Sequence, residues 1–324
     1  SSARRYATPS TSRSGGEVVV PYLLKRLLQS VFVLLGITLV TFLLVFLLPA
    51  DPARMIAGRS ATVATVQSIR HELGLDRPLP VQYVSYLGAL LRGDLGRSYA
   101  QRAKVSDLIA SRFAPTVQLA LAGILFELLI GLPAGVAAAI RRGTRFDQAV
   151  MALAFVGVSA PQFVVGLILL YLFAFLLPVF PLGGYGTPLH LVLPAVAVGL
   201  AGGGWYARVT RSATIEVLRQ DFVRTARAKG VLPGRVVLKH VLKNAVLPVV
   251  ALVGLDIGVF MGGIVVVESV FGWPGIGQMI WQAIQLVDIP VIMGGVLVTA
   301  LFVVVGNLLA DAVYPALDPR VRYQ

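Results

Sequence analysis

Apolar residues in this chain come in long uninterrupted runs, not in the alternating pattern of a half-buried strand or the single stripe of a surface helix. About 20 consecutive apolar residues cross a hydrocarbon core of about 30 Å. Six runs reach that length and predict membrane-spanning helices near Tyr22–Ala50, Pro115–Ile140, Gln148–Phe180, Leu189–Tyr206, Asn244–Val267 and Ile289–Tyr314. The third is long and is expected to kink at Pro161, where the helix loses a backbone donor and the ring crowds a carbonyl. The first is uncharged for 24 residues, Leu27 to Ala50, with no small-residue cleavage pattern after it, so it reads as an anchor and not a signal peptide.

The pattern divides the chain into an N-terminal tail (1–21), a first transmembrane helix (22–50), an extracytoplasmic loop subdomain (51–114), a five-helix core (115–315) and a C-terminal tail (316–324). The core contains a polar loop at 208–243 and an irregular one at 268–288. The fold class is all-α integral membrane with six transmembrane helices. Ser1–Gly16 is rich in Ser, Thr and Arg without an apolar period, so the tail is expected to be disordered. Within 51–114, Thr62–Leu73 ends at Gly74 as a C-capped helix does, and Val81–Leu91 follows Pro80 with helical spacing. These two short helices form a lid that packs on itself and the membrane surface, or that contacts an outside partner protein.

Composition supports the bilayer as solvent: 57% of residues are hydrophobic and 13% charged, and mean hydropathy is +0.82. Charge sets orientation. Arg4, Arg5, Arg13, Lys25 and Arg26 flank the first span, Arg141, Arg142 and Arg145 follow the second, and Arg208 to Lys243 holds nine basic residues against Glu216 and Asp221. By the positive-inside rule these segments, and with them both termini, are cytoplasmic. Pro181–Pro188 and Phe271–Ile289 contain no Lys or Arg and face outward. The net charge of +13 therefore reflects topology and not a nucleic-acid groove, which needs long polar stretches with interleaved aromatics.

Catalytic chemistry is missing. The chain has no cysteine and three histidines, which excludes a thiol nucleophile, a Cys-ligated zinc and a disulfide scaffold. None of the five lysines ends a Gly-rich phosphate loop, His71-Glu72 lacks the second His of a metalloprotease helix, and no Gly-x-Ser-x-Gly elbow is present. No metal and no cofactor is assigned.

Three features remain. Asp221-Phe-Val-Arg-Thr-Ala-Arg-Ala-Lys-Gly230 reads as a two-turn helix in which Asp221 caps the free N–H groups and Gly230 closes the other end. Arg227 and Lys229 lie in its last turn, and Phe222, Val223 and Ala226 give a small apolar face. So short a helix needs a surface, either anionic headgroups or a partner protein. Glu127 and Asp256 fall inside spans, where an acid is costly and usually faces a bundle interior or a wet cavity, so both are candidates for a translocation path or for buried structural acids. Gly254, Gly258 and Gly262 form a small-residue stripe that admits a neighbouring helix, with Asp256 projecting away from it. Finally, Pro274, Gly275 and Gly277 break regular helix after Glu268, which reads as a re-entrant turn at an outer gate or as a tight loop anchored by Trp273 and Trp281.

The run Arg224-Thr-Ala-Arg-Ala-Lys-Gly230 followed by Leu247-Pro248 resembles the EAA loop of binding-protein-dependent ABC importer permeases, specifically the first permease subunit of the dipeptide, oligopeptide, glutathione and nickel group. Further matches are Leu73-Gly-Leu-Asp-Arg-Pro78, Gly93-Asp-Leu-Gly-Arg-Ser98, Glu268-Ser-Val-Phe-Gly-Trp-Pro-Gly-Ile-Gly277 and Asp318-Pro-Arg-Val-Arg322. They extend from about residue 22 to the C-terminus. The acidic residue that names the motif is Arg224 here, and the spacing to Leu247-Pro248 is longer than in sugar permeases.

The resemblance implies a type I permease fold in the bacterial inner membrane and a homologous second permease subunit beside this chain. It also implies two ATPase subunits or domains that bind ATP and Mg, and an extracytoplasmic substrate-binding protein. It makes Asp221, Phe222, Arg224, Thr225, Ala226, Arg227, Lys229 and Gly230 a coupling helix that contacts the ATPase. It makes Glu268, Phe271, Trp273, Pro274, Gly275 and Gly277 an outer gate. The expected cargo is short peptides, with glutathione or a nickel chelate as alternatives. A different class of function is a proton-coupled secondary transporter using Glu127 and Asp256; that reading calls for inverted repeats with paired broken helices.

Overall fold

The computed structural model describes residues 15–47, 51–58 and 61–317. The Arg-rich start of the expected tail (1–14) and Asp318-Pro-Arg-Val-Arg322 lie outside the described residues.

Helices dominate the described chain, in the order α1 (Gly15–Leu47), α2 (Pro52–Ala57), α3 (Val63–Glu72), α4 (Leu79–Leu91), α5 (Val105–Ile140), α6 (Arg145–Ser159) and α7 (Gln162–Leu170). A π-turn, Tyr171–Leu176, continues α7. Then come α8 (Pro188–Leu218), α9 (Asp221–Ala228), α10 (Pro233–Val236), a second π-turn (Val237–Val241), α11 (Leu242–Ala245), α12 (Leu247–Met261), α13 (Val265–Val270), α14 (Ile276–Leu286) and α15 (Ile289–Leu317).

Four helices are individually long and apolar enough to span a bilayer: α1 over Lys25–Leu44, α5, α8, and α15 over Ile289–Leu309. Counted as one span each, two bent pairs bring the number to six, α6 with α7 through 98° and α10–α11 with α12 through 47°. The kink expected at Pro161 is a complete break, because Pro161 supplies the N-cap of α7 and not an interior residue of one helix.

Several boundaries differ from those read off the sequence. Helix α1 begins at Gly15, so residues 15–21 are helical where a disordered tail was expected. Helix α5 begins at Val105, ten residues before the expected Pro115, which it carries internally. The early start is explained by burial, since Val105 and Ile109 pack with Ile276, Met279, Ala283 and Val291. Helix α8 runs on to Leu218, well past Tyr206. The fifth span stops at Met261 instead of Val267, because Gly263 turns the chain at φ +97°, a left-handed conformation that glycine alone adopts without strain.

Close helix approach organises the core, and α5 and α8 form its most extensive pair. A Cβ at Gly131 would fall on Tyr206 Cβ and lie 2.8 Å from Gly203 O, and one at Gly135 would lie 2.7 Å from Thr210 Cβ. On α8, a Cβ at Gly199 would strike Phe126 and one at Gly204 would strike the Ala154 carbonyl of α6. In membranes small residues replace the hydrophobic effect as the means of bringing backbones together. The glycines singled out in the sequence act likewise on α12, where Gly258 meets Val303 and Gly306 of α15 and Gly262 meets Thr299.

The segment 51–114, expected on the extracytoplasmic side, contains the two expected helices. Thr62 caps α3 by accepting from Thr65 N at 3.2 Å, and Gly74 follows it at φ +65°. Three attachments hold the segment to the bundle. Thr38 of α1 shares a 3.0 Å hydrogen bond with the Tyr83 hydroxyl, Phe42 packs against Tyr83 and Tyr86, and buried Asp288 accepts from Ser98 Oγ, from Tyr99 N at 3.0 Å and from Ala100 N at 3.1 Å.

Candidate functional site

The sequence-expected residues fall into three places along the membrane normal. At the cytoplasmic end lies α9. Gln220 occupies its N-cap without a side-chain hydrogen bond, so Asp221 does not cap the helix as expected; its carboxylate is 98% exposed and lies 3.8 Å from Arg224 one turn on. Gly230 does close the other end, at φ +76°, with its N–H donating to Arg227 O and Val231 N–H to Ala226 O.

The expected apolar face of α9 divides in two. Val223 and Ala226 are buried in the chain's own cluster with Val217, Val236, Val241 and Ala245, whereas Phe222 is 40% exposed. Ala226, expected among the ATPase-contact residues, is thus turned inward, because positions 223 and 226 lie one turn apart on the face that meets α10 and α11. Phe222, Arg224, Thr225, Arg227 and Lys229 form the exposed surface. Nearby, Arg211 of α8 grips Asp147 at the start of α6 with two bonds of 2.6 and 2.8 Å, and Gly143 N adds a third to the same carboxylate at 2.9 Å.

In the middle of the bundle Glu127 and Asp256 come together as the sequence could not show. They line one cavity of about 250 Å³ with Gln162, Trp205, Tyr206 and Phe260, at the break between α6 and α7. Asp256 is half-buried and accepts from the Tyr206 hydroxyl at 2.5 Å. Glu127 is 2% exposed, is close enough to Asp256 for the two carboxyls to interact directly, and its Oε2 has no hydrogen-bond partner among the described residues. Gly202 makes room for it, since a Cβ there would occupy the position of the Glu127 carboxyl. Irregular backbone at membrane depth is tolerated where it lines such a cavity, which accounts for the break at Ala160–Pro161.

On the outer side, α13, the turn 271–275 and α14 form a re-entrant hairpin that packs inside the bundle. Glu268, Phe271 and Trp273 are all within 2% of fully buried. Trp273 therefore is not an interfacial anchor; its Nε1–H donates to Pro115 O at 2.9 Å, and Tyr185 meets its ring edge-on at 4.9 Å. Trp281, 46% exposed, keeps an interfacial character. Ile276 N donates to Thr116 Oγ1 at 2.9 Å and Gln278 N to Glu268 Oε2 at 2.7 Å. Gly275 and Gly277 have no space for a side chain, because a Cβ on either would run into the Glu268 carboxylate.

Sequence reasoning missed Tyr206, Gly202, Arg211, Asp147 and Asp288. The run Gly202-Gly-Gly204 was a visible sign of close packing. The side-chain partners of Asp256, Arg211 and Asp288 are 50 or more positions away and give no local signal.

The described residues thus form a bundle of long and bent spans with a central polar cavity, a re-entrant hairpin and a presented basic helix. The family described as binding-protein-dependent transport system inner membrane component matches residues 131–323, and its N-terminal counterpart matches residues 19–120. The chain belongs to this family and is a multi-pass protein of the bacterial inner membrane; ATP hydrolysis resides in separate ATPase subunits.

It is 43% identical over 303 residues to the glutathione transport system permease protein GsiC of Salmonella choleraesuis (strain SC-B67), covering 94% of this chain and 99% of the relative. Identity to the GsiC proteins of Pectobacterium atrosepticum and Escherichia coli (strain K12) is 42% and 40% over the same coverage. Among solved structures, an inward-facing form of the MetNI methionine ABC transporter matches with a TM-score of 0.55 at 20% identity, over 65% of this chain and 96% of that one, and supports the fold. Membership in this family leaves the proton-coupled secondary transporter without support.

Proposed function

We propose that this chain is the pathway-forming permease of an ATP-driven importer of short peptides, glutathione among them, working beside a second homologous permease subunit, two ATPase subunits that bind ATP and Mg, and an outside binding protein. The peptide assignment draws on relatives that are glutathione permeases and cover nearly the whole chain.

The observation that carries the mechanical part is the two-sided build of α9. Its inner side is fixed in the chain's own core through Val223 and Ala226, while Phe222, Arg224, Arg227 and Lys229 project outward. A helix so anchored transmits force, which a helix lying loosely on lipid does not. ATP-driven closure of the ATPases pulls α9, the bundle rearranges, and access to the cavity at Glu127 and Asp256 passes from the outer side, closed by the hairpin 268–288, to the cytoplasm.

The test is uptake and ATP hydrolysis by the reconstituted complex carrying Phe222→Ala with Arg224→Ala. Uptake is expected to fall far more than ATP hydrolysis, since the surface between chains is altered and the core of the permease is not. Full uptake with the ATPase still bound would sink the coupling role. Replacing Ala226 by a charged residue is a poorer test, because it disrupts the permease's own core.

A further inference from the structure

The central cavity has a chemical preference that its position in the bundle does not itself dictate. Its wall carries two carboxyl groups and no cationic side chain. Asp256 presents one carboxylate at the wall, with Tyr206 donating to one of its oxygens, and Glu127 lies beside it with Oε2 buried and lacking any donor among the described residues. A buried acceptor without a donor is costly, so the site is incomplete until a hydrogen-bond donor arrives. Trp205 and Phe260 complete the wall with two aromatic rings. Trp205 already carries one cation over its face, the Arg208 guanidinium 5.2 Å from the ring centroid.

A carboxylate beside a second carboxyl group whose Oε2 has no donor, set among aromatic faces, matches a compact cation with several N–H groups. The broken helix beside them does not choose a sign, because the end of α6 and the start of α7 bring opposite partial charges to the same wall. The carboxyls choose it. A space of about 250 Å³ admits an ammonium group with a short stem and not a whole folded ligand.

We infer that Asp256 and Glu127 form a transient ammonium site that receives the free amine of the peptide cargo as it crosses. This rests on the peptide reading above and sharpens it: the permease selects for cargo with an unblocked amino group. Tyr206 is a positioning residue that holds Asp256, and Gly202 keeps the space into which Glu127 fits.

The experiment uses the complete transporter in proteoliposomes with saturating binding protein, charged with either trialanine or N-acetyl-trialanine. Loading of the binding protein with each peptide is measured separately, so that a rate difference belongs to the membrane step. Wild type is expected to move the free-amine peptide on the order of tenfold faster, the size of one charge-assisted contact. Glu127→Gln and Asp256→Asn, which keep shape and remove charge, are expected to bring the two rates within about twofold by slowing the free-amine peptide alone.

Equal wild-type rates for the two loaded peptides would overturn the ammonium site while leaving peptide import intact. An unchanged ratio in both variants would do the same, as would parallel slowing of both peptides, which would make the acids structural. Absence of any ATP-dependent uptake of either peptide or of glutathione by wild type would overturn the peptide reading itself. Should one variant fail to assemble, as judged by co-purification of the complex, the other carries the comparison.

Discussion

Gly131→Ala tests the seam between α5 and α8 with the smallest possible probe. The added methyl would meet Tyr206 Cβ, Gly203 O at 2.8 Å and Ala207 N at 3.1 Å, where ordinary contact begins near 3.4 Å. Two of these are backbone atoms of a packed helix and cannot swing aside. The helices must separate by more than half an ångström, and a gap of that size forfeits about a quarter to a half of each contact's dispersion energy. Overpacking of this kind costs about 1–3 kcal/mol, and with the methyl falling on Tyr206 Cβ the upper part of that range applies; the better helix propensity of Ala returns about 1 kcal/mol, leaving a net loss of up to about 2 kcal/mol.

Gly88→Ala in α4 is the matched control, because its new methyl meets nothing within 4 Å and retains only the propensity gain. The assay is the thermal midpoint of the purified protein in one detergent at a fixed scan rate. Gly131→Ala is expected to lower it by a few degrees and Gly88→Ala to leave it unchanged or raise it. A Gly131→Ala protein that melts at or above wild type would refute the view that backbone contact at this seam holds the bundle together.

Three further predictions follow from buried polar contacts. Arg211→Met leaves the 3%-exposed Asp147 without its bidentate partner and should destabilise the cytoplasmic end by about 3 kcal/mol, at the low end for a broken buried pair because Arg211 is partly exposed; equal thermal midpoints would refute it. Asp288→Ala removes the acceptor of three hydrogen bonds from residues 98–100 and should speed proteolytic cleavage between Arg97 and Lys104; wild-type resistance would show that the loop is held elsewhere. Trp273→Phe keeps one aromatic ring but loses the donor to Pro115 O and empties the space of the indole's second ring at a 1%-exposed site, so it should cost about 2 kcal/mol or more and loosen the outer hairpin, read as faster alkylation of a cysteine placed at buried Ala283.

Much of the architecture was legible because a bilayer makes span length a physical constraint. The six apolar runs, an interruption at Pro161 and the short helices of the segment 51–114 all follow from local composition. The boundaries that moved did so for tertiary reasons. Val105 and Ile109 are an ordinary amphipathic turn until Ile276 and Met279 cover them, and Gly263 ends the fifth span because the chain must re-enter the bundle.

The site was half visible. Glu127 and Asp256 announced themselves as acids in apolar runs, yet their meeting depends on Gly202 and Tyr206, whose role no spacing along the chain reveals. Helix α9 shows the opposite case: its stop at Gly230 was readable, whereas its N-cap fell on Gln220 and not Asp221, and Ala226 and Phe222 could be assigned to inner and outer sides only once α10 and α11 were in place.

Helix α8 contains 31 residues, a rod of about 46 Å. Its outer end begins at the capping box of Thr187 and His190, its middle supplies the tyrosine that holds Asp256, and its inner end leads within three residues into α9. On the proposed reading one continuous element joins the docking helix to the cavity's carboxylate, so its weak points, Pro194 and the Gly202–Gly204 run, are where the two ends could be uncoupled.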